Sequence, residues 1–412
     1  MRQQQTLFDS SRLSLTESIE LTAQSLNAYI PGHKHIAVAY SGGKDSSATL
    51  TLLSHLIDTG RVQLPKDCQQ VHVLYADTRQ ELPPLHFAAM SMLEDCKRRG
   101  FKTHVVCAPL EKRFWPYILG RGVPSPNNGT LRWCTRQIKV DPMTAALAEL
   151  REQLGDDERL LMVTGVRLGE SAARDQRIAM SCTKDGGECG QGWYQKMTAP
   201  QTDTVAPLLH WRVCHVWDWL VQADLEYGFP TMEVAEAYSM TKSIEQGEEP
   251  IASRTGCIGC PLVSAEDTAL ARVCAQPRWA YLAPLKELRT VHAEARKLSN
   301  RLRKPGGETR KDGTLIKNQG RFGPVCLDVR EQLLKKVLDI QARVNIAAIA
   351  QGNPQISIIN NMEELFIRKC IGEEVWPDGW TGNEPRGDKW IDEPLADGHV
   401  QPLIEGLVEV KM

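Results

Sequence analysis

Short apolar runs and amphipathic stretches alternate along the first part of the chain. The runs that predict buried strands are residues 36–40, 71–76, 103–107 and 160–166. The stretches that predict helices are residues 14–29, 48–57, 84–99, 142–154 and 216–221. Because strands and helices alternate at this spacing, the pattern predicts an α/β fold with a doubly wound parallel sheet, followed by a mainly helical C-terminal extension.

At 412 residues the chain is long for one domain. We expect four consecutive segments: a helical segment at 1–33, the α/β domain at 34–265, a basic helical extension at 266–370 and a Trp- and Pro-rich strap at 371–412. No stretch approaches the roughly 18 apolar residues of a membrane span, and the first residues are too polar for a signal peptide. We therefore expect a cytoplasmic protein with no membrane partner.

A glycine loop follows the first predicted strand and leads directly into a helix. Residues 40–47 have the sequence YSGGKDSS. The free N–H groups at the start of a helix bind phosphate, and two glycines let the backbone approach the ligand closely. Asp45 follows Lys44 where a Walker A loop has Ser or Thr, so the loop is of another kind. The candidate nucleotide-binding residues here are Ser41, Gly42, Gly43, Lys44, Asp45, Ser46 and Ser47.

Polar residues also follow the second and fourth predicted strands. Ligands of parallel sheets bind at the carboxyl ends of the strands, so Asp77 and Thr78 are candidates for a ribose or a Mg²⁺ ion. The alternative is that either one caps the next helix. After the fourth strand, Arg167 and Arg174 could grip phosphate or sulfate, with Glu170 and Ser171 beside them. A solvated ladder of ion pairs is the alternative there.

Cysteine is the other residue type that suggests chemistry. Twelve cysteines in an intracellular chain favour metal or redox use over disulfides. Two pairs of thiols, Cys257 with Cys260 and Cys182 with Cys189, could together hold zinc or a [4Fe–4S] cluster. Cys134 is a candidate nucleophile, because a thiol beside Arg132 and Arg136 should ionise more easily. A packed, half-buried cysteine is the alternative.

Charge changes the picture only locally. The formal net charge of −2 excludes a globally basic protein. Residues 285–344, however, contain fifteen Lys or Arg against seven Asp or Glu. Such a surface could bind DNA, since neutralised phosphates release counterions, or it could be an ordinary solvated helical module. The strap that follows contains Trp376, Trp380 and Trp390 and could pack on the core or dock a partner protein.

The SGGKDS string resembles the loop of the PP-loop ATP pyrophosphatases, which cleave ATP between the α- and β-phosphates. Together with Asp77-Thr78, RWCT at 132–135 and GVRLGESAAR at 165–174, it is similar to the phosphoadenosine-phosphosulfate reductase branch over about residues 34–262. The strings ESAARDQR and ECGQGW further resemble DNA phosphorothioation proteins of the SspD and DndC types. The cysteine spacing departs from the compact cluster of the DndC type.

This resemblance implies an ATP pyrophosphatase with Mg²⁺ that adenylates a DNA backbone phosphate for sulfur insertion. Lys44, Asp45 and Cys134 would be catalytic, while Arg132 and Lys139 would contact the nucleotide or the anionic substrate. The resemblance favours a [4Fe–4S] cluster over zinc on the four cysteines. A cysteine desulfurase, other phosphorothioation subunits and DNA would be the partners, in a DNA-modification system of the restriction–modification kind.

Two alternatives come from other functional classes. A phosphoadenosine-phosphosulfate or adenylylsulfate reductase would need a redox cysteine near its C-terminus, but Cys370, the last cysteine here, has no neighbouring thiol. A non-catalytic DNA-binding subunit would use nucleotide only as a conformational ligand. The products of ATP distinguish the three: pyrophosphate from an adenylating enzyme, no ATP turnover by a DNA-binding subunit, and thiol oxidation by a reductase.

Overall fold

The computed structural model describes most of the chain. The described residues are 13–68, 70–129, 131–155, 158–169, 176, 193–196, 202–238, 256–263, 267–305, 309, 312–315, 320–387, 392–394 and 400–402. They form two compact units that interleave along the chain. Unit 1 lies within Met1–Asp77, Leu82–Val106 and Met143–Thr255, and unit 2 lies within Thr78–Glu81, Cys107–Pro142 and Gly256–Met412. These units do not test the four consecutive segments expected from the sequence, which remain a prediction.

Unit 1 is built on a six-stranded sheet. Its strands are β1 His35–Tyr40, β2 Val71–Ala76, β3 Lys102–Val106, β4 Leu160–Thr164, β5 Trp193–Lys196 and β6 Thr202–Ala206. The order is β3-β2-β1-β4-β6-β5, and only β5 runs antiparallel. The predicted α/β class and parallel core are therefore confirmed. Strands β5 and β6 were not predicted, because segments of four and five residues that mix polar and apolar side chains give only a weak strand signal.

The helices of unit 1 follow the predicted alternation. They are α1 Leu15–Tyr29, α2 Lys44–Asp58, α3 Pro83–Arg98, α4 Asp141–Arg151, which starts in unit 2, α5 Val213–Tyr227 and α6 Met232–Ala237. Ser14 and Glu17 form a capping box that fixes the start of α1. Ala37, Leu74 and Met162 of the sheet form one core cluster with Leu150 of α4. This packing keeps the strands in register and their carboxyl ends level.

Unit 2 is mainly helical, as predicted for the extension. Its helices are α7 Thr268–Cys274, α8 Leu288–Arg296, α9 Leu327–Gln351 and α10 Asn361–Gly372, with a long 3₁₀ segment at Pro277–Glu287. Strands β7 Arg301–Arg303 and β8 Phe322–Val325 pair antiparallel, and so do β9 Asp392–Pro394 and β10 Val400–Pro402. Shorter helical turns lie at Leu110–Lys112, Pro116–Gly120, Arg136–Val140 and Leu298–Asn300. No helix among the described residues is long and apolar enough to cross a membrane.

Arg330 of α9 holds several segments of unit 2 together. It is fully buried and donates to the carbonyl oxygens of Val325 at 2.7 Å, Gly120 at 3.0 Å and Val375 at 2.8 Å. Its guanidinium lies 4.2 Å from the ring centre of Trp376. Burial lowers the pKa of Arg330 to about 10. The tryptophan strap thus packs within unit 2 at Trp376, whereas Trp390 lies outside the described residues.

Candidate functional site

The glycine loop has the predicted strand–turn–helix geometry. Gly42 has a φ of +74°, and a Cβ there would lie 3.1 Å from the Cβ of Ala89. Gly43 is the N-cap of α2 and supplies no side-chain cap. Ser46 Oγ donates to the carbonyl of Gly43 at 3.0 Å and accepts from the backbone N–H of Ser41 at 3.2 Å. The loop is therefore held in shape by its own serine before any ligand binds.

A buried charge network lies at the start of α2. Lys44 Nζ lies 3.0 Å from Asp45 Oδ2, and Arg167 Nε donates to Asp45 Oδ1. Arg167 also donates to the carbonyl of Trp211 at 3.2 Å. Burial opposes ionisation of Asp45, but the charges of Lys44 and Arg167 outweigh it and hold its pKa below the usual value. Two cations against one carboxylate give this site a positive balance suited to a polyphosphate.

Gly165, directly after β4, allows this network to form. A Cβ at this position would lie 2.9 Å from both the carbonyl carbon of Asp45 and the Cα of Ser46. The end of β4 therefore touches the backbone of the glycine loop, which brings Arg167 to Asp45. Sequence reasoning did not single out Gly165, although a glycine directly after a strand is a signal of close backbone approach.

The three loop serines have different surroundings. Ser41 is exposed, whereas Ser46 is buried and bonded within the loop. Ser47 is fully buried and its hydroxyl donates to Tyr40 Oη at 3.5 Å. All three were expected to donate to phosphate. The structure leaves only Ser41 turned toward solvent.

The candidates at the other strand ends divide between the two units. Asp77 ends β2 in unit 1, is partly buried, and its N–H donates to the carbonyl of Val106 at 2.9 Å. Thr78, in unit 2, donates to Glu81 Oε1 at 2.6 Å. The capping alternative is wrong, because α3 begins at Pro83 with Leu82 as N-cap and no side-chain cap. Arg167 lies in a non-helical stretch after β4. Glu170, Ser171 and Arg174, which were expected beside it, lie outside the described residues.

In unit 2, Cys134 starts a helical segment that leads into the turn Arg136–Val140. Its thiol is half-buried, and burial raises its pKa even though the N–H of Thr135 lowers it in part. The expectation that Cys134 ionises easily is therefore wrong. The cations meant to promote ionisation, Arg132 and Arg136, are exposed, as is Lys139. In water their charges are largely screened from a half-buried sulfur.

The loop with Cys257 and Cys260 is firmly anchored within unit 2. The N–H of Ile258 donates to the carbonyl of Gln80 at 2.7 Å, and Cys257 forms a bridge with Glu81. Gly259 has a φ of +56°, and a Cβ there would lie 2.8 Å from the Cβ of Leu288 in α8. Only glycine fits this turn without displacing the helix.

The two thiols of this loop interact directly. A hydrogen bond from the Cys257 thiol lowers the pKa of Cys260 to about 6, and the same bond raises the pKa of Cys257. Cys134 lies close enough to interact electrostatically with both sulfurs. The structure therefore brings Cys134 to the pair that was predicted to bind metal. From the sequence, Cys134 was expected to be a nucleophile or a packed cysteine, and not a neighbour of this pair.

The predicted metal site is incomplete in the part of the chain that the structure describes. Cys182 and Cys189 lie outside that part, and within it no group of three or more His, Cys, Asp or Glu side chains could hold a metal ion. A [4Fe–4S] cluster is held by four thiolates, and the adjacent donor set here is Cys257 and Cys260. The residues described do not fit a complete cluster, and the steps proposed below do not pass through iron.

A parallel sheet with a glycine loop between β1 and α2 is the arrangement typical of nucleotide-binding α/β folds. Residues 35–229, slightly less than half of the chain, match the model of the phosphoadenosine phosphosulfate reductase domain. This segment of the chain is therefore similar to the phosphoadenosine phosphosulfate reductase domain. This confirms the resemblance to that branch and leaves the closer likeness to phosphorothioation proteins as a prediction.

The individual relatives share little sequence identity with this chain. The uncharacterized protein MJ0973 of Methanocaldococcus jannaschii is 26% identical over 227 residues, which cover 55% of this chain and 41% of that protein. The chain thus spans about two fifths of the length of this relative. Phosphoadenylyl-sulfate reductase from Candida auris has 12% identity and a TM-score of 0.34, covering 60% of this chain and 97% of that one. The U34-tRNA thiolase NcsA from Methanococcus maripaludis, solved with its [4Fe–4S] cluster, has 15% identity and a TM-score of 0.33, covering 57% and 74%.

Proposed function

We propose that the protein is an ATP pyrophosphatase that adenylates a DNA backbone phosphate for sulfur insertion. A non-bridging oxygen of the DNA phosphate attacks the α-phosphate of ATP, and pyrophosphate leaves. The terminal sulfur of a cysteine persulfide then attacks the adenylated phosphorus, and AMP leaves. A second thiol attacks the carrier cysteine, which releases the phosphorothioate and leaves a disulfide between the two cysteines for an external thiol to reduce. The observation that carries the first step is the buried network of Lys44, Asp45 and Arg167 at the N-terminus of α2.

This network suits the departure of pyrophosphate. Lys44 and Arg167 are buried at 5% and 3% exposure, so each can act on a phosphate with little competition from water. Asp45 holds both cations in place, and the N–H groups at the start of α2 add partial positive charge. Mg²⁺ would arrive with ATP, and Asp77 at the end of β2 is the carboxylate proposed to meet it.

Sulfur handling is proposed for unit 2. Cys260 is the thiolate with the lower pKa, Cys257 is its hydrogen-bond donor, and Cys134 lies near both. A cysteine desulfurase would supply the sulfur as a persulfide, and other phosphorothioation subunits would complete the system. Iron and sulfide analysis of anaerobically purified protein tests the cluster separately.

The family domain keeps a reductase as the second candidate. Such an enzyme needs an accessible redox thiol, and Cys370, the cysteine considered for that role, is only 5% exposed. Burial also raises its pKa, which disfavours the reactive thiolate. Low exposure and a raised pKa therefore favour the pyrophosphatase over the reductase as the candidate function.

The deciding experiment follows ATP labelled at the α- and γ-phosphates, with duplex DNA and a sulfur donor present. We expect AMP and pyrophosphate in equal amounts, and phosphorothioate linkages in nuclease digests of the DNA. Orthophosphate release alone would contradict the mechanism. Reduction of phosphoadenosine phosphosulfate to sulfite by the same preparation would favour the reductase.

A further inference from the structure

The basic region at residues 285–344 is the obvious candidate for a DNA surface, yet its cations serve other purposes. Arg301 donates to the carbonyl of Gly323 at 2.8 Å, and Arg303, 5% exposed, donates to that of Gly320 at 2.6 Å. Arg330 is buried against three carbonyls. Further cations are held by carboxylates: Lys304 by Glu384, Lys335 by Glu331 and Arg343 by Glu287. Much of the positive excess therefore stabilises unit 2 itself.

A different set of cations in unit 2 is exposed. We call Arg132, Arg136 and Lys139 the cationic segment, and all three are exposed. Arg132 and Lys139 have no ion-pair partner among the described residues. Arg136, at 84% side-chain exposure, meets only the exposed Asp141, at 3.3 Å. An exposed pair of this kind contributes little free energy, so Arg136 remains available to another anion.

The cationic segment surrounds a thiol. Cys134 lies between Arg132 and Arg136 in the chain and is close to the sulfurs of Cys257 and Cys260. Lys112 is a fourth exposed cation near this segment. Its carbonyl accepts a 2.7 Å hydrogen bond from Gln137, which ties the two stretches of chain together. The carboxylates near the segment in the chain are Glu111 and Asp141. Glu81 and Asp267 lie near the Cys257–Cys260 pair, so the excess of positive charge belongs to the exposed cationic segment and not to the thiols.

We propose that the cationic segment binds the phosphate backbone of a polynucleotide and holds it beside Cys134, Cys257 and Cys260. This inference rests on the proposed function, since it names the surface that receives the nucleic acid. Residues 134–140 are helical and Arg132 precedes them, so at about 1.5 Å per helical residue Arg136 and Lys139 lie roughly 5 Å apart along the helix axis. A DNA strand has one phosphate per about 3.4 Å of helix axis, so the segment can meet about three phosphates. Flexible Arg and Lys side chains suit such sequence-independent contacts.

The test measures binding of fluorescent duplex DNA, without ATP, at a series of salt concentrations. The triple variant Arg132→Ala, Arg136→Ala, Lys139→Ala should bind at least about tenfold more weakly at physiological salt. The slope of log affinity against log salt should fall in magnitude by about two to three, since each lost phosphate contact removes about 0.9. Asp141→Asn should strengthen binding by up to about threefold, because it releases Arg136.

The matched control removes three exposed lysines from the basic region, in the variant Lys286→Ala, Lys297→Ala, Lys335→Ala. It has the same change in net charge and should keep the salt slope of the wild type. If this control loses the slope and the cationic-segment variant keeps it, the proposal is overturned. Single-stranded DNA and duplex RNA are measured in parallel: a segment-dependent slope on any of them supports backbone binding and identifies the source, and no such slope on all three overturns it.

A second readout places the polynucleotide near the thiols. Saturating nucleic acid should slow iodoacetamide alkylation of Cys260, the thiolate of the pair, in the wild type and not in the triple variant. Cys68 of unit 1 serves as the reference thiol in the same digest. Binding without protection of Cys260 would contradict the placement. Because no ATP is present, these outcomes are independent of whether pyrophosphate is the product of ATP cleavage.

Discussion

The loop at residues 40–47 and the loop at residues 257–260 are both short glycine turns with candidate chemistry, but they are assembled differently. The first is made mostly of neighbours in sequence, with Lys44 bound to Asp45 and Ser46 bound to Gly43. Arg167 and Tyr238, whose Oη accepts a 3.3 Å hydrogen bond from the N–H of Lys44, come from far along the chain. The second is held by distant segments, through Gln80, Glu81 and Leu288. A motif can thus reveal the first site, while the second exists only once unit 2 has folded.

Lys44→Ala is expected to have the largest effect, because it should impair pyrophosphate release at the first loop and leave the thiols of the second loop unchanged. Removing a buried cation that stabilises developing charge costs about 10²–10³-fold in turnover. Pyrophosphate release should fall by that factor, while alkylation of Cys260 should be unchanged because the thiol lies in unit 2. Lys34→Ala is the control, since Lys34 is a half-exposed lysine of unit 1 paired with Asp67 and Glu158. Pyrophosphate release within about twofold of wild type would contradict the role of Lys44.

Gly165→Ala tests the contact between β4 and the glycine loop. A methyl group 2.9 Å from the backbone of Asp45 and Ser46 forces a shift, and overpacking of this kind costs about 1–3 kcal/mol. We expect a lower Tm and a loss of pyrophosphate release beyond about tenfold, since Arg167 would move away from Asp45. Gly32→Ala is the matched control, because no atom lies within 4 Å of its added Cβ. Equal behaviour of the two variants would refute the close approach.

These two loops also explain what could be predicted from the sequence. The strand, turn and helix around Lys44 follow from local periodicity and glycine placement, so their order was predictable. The half-buried state of Cys134 was one of two alternatives that the sequence left open, because burial depends on packing within unit 2 rather than on the charges beside it in sequence. For the same reason the basic composition of residues 285–344 did not reveal that Arg330 binds carbonyl groups. Composition reports charge, while packing decides whether that charge reaches solvent.

Cys257→Ala tests the hydrogen bond between the two thiols of the loop at residues 257–260. The Cys257 thiol donates to the Cys260 thiolate, so its removal should raise the pKa of Cys260 from about 6 toward the ordinary thiol value of about 8.5. A thiol ionises less below its pKa, so alkylation of Cys260 at pH 7 should slow by about tenfold in metal-free protein. The pH dependence of alkylation, followed by mass spectrometry, measures both quantities. Cys68→Ala should leave the profile of Cys260 unchanged, and an unchanged midpoint in Cys257→Ala would exclude the hydrogen bond.

The smallest effect is expected from Ser47→Ala. This variant tests whether the hydroxyl of Ser47 contributes to folding stability rather than to nucleotide binding. Ser47 is buried and bonded to Tyr40, so loss of its hydroxyl should cost about 1 kcal/mol of folding free energy. The KM for ATP should stay within about twofold, because this hydroxyl does not face solvent. Ser46→Ala should instead raise KM severalfold, since Ser46 fixes the carbonyl of Gly43 and the N–H of Ser41. If Ser47→Ala raised KM more than Ser46→Ala, the hydroxyl of Ser47 would have to turn toward the nucleotide on binding.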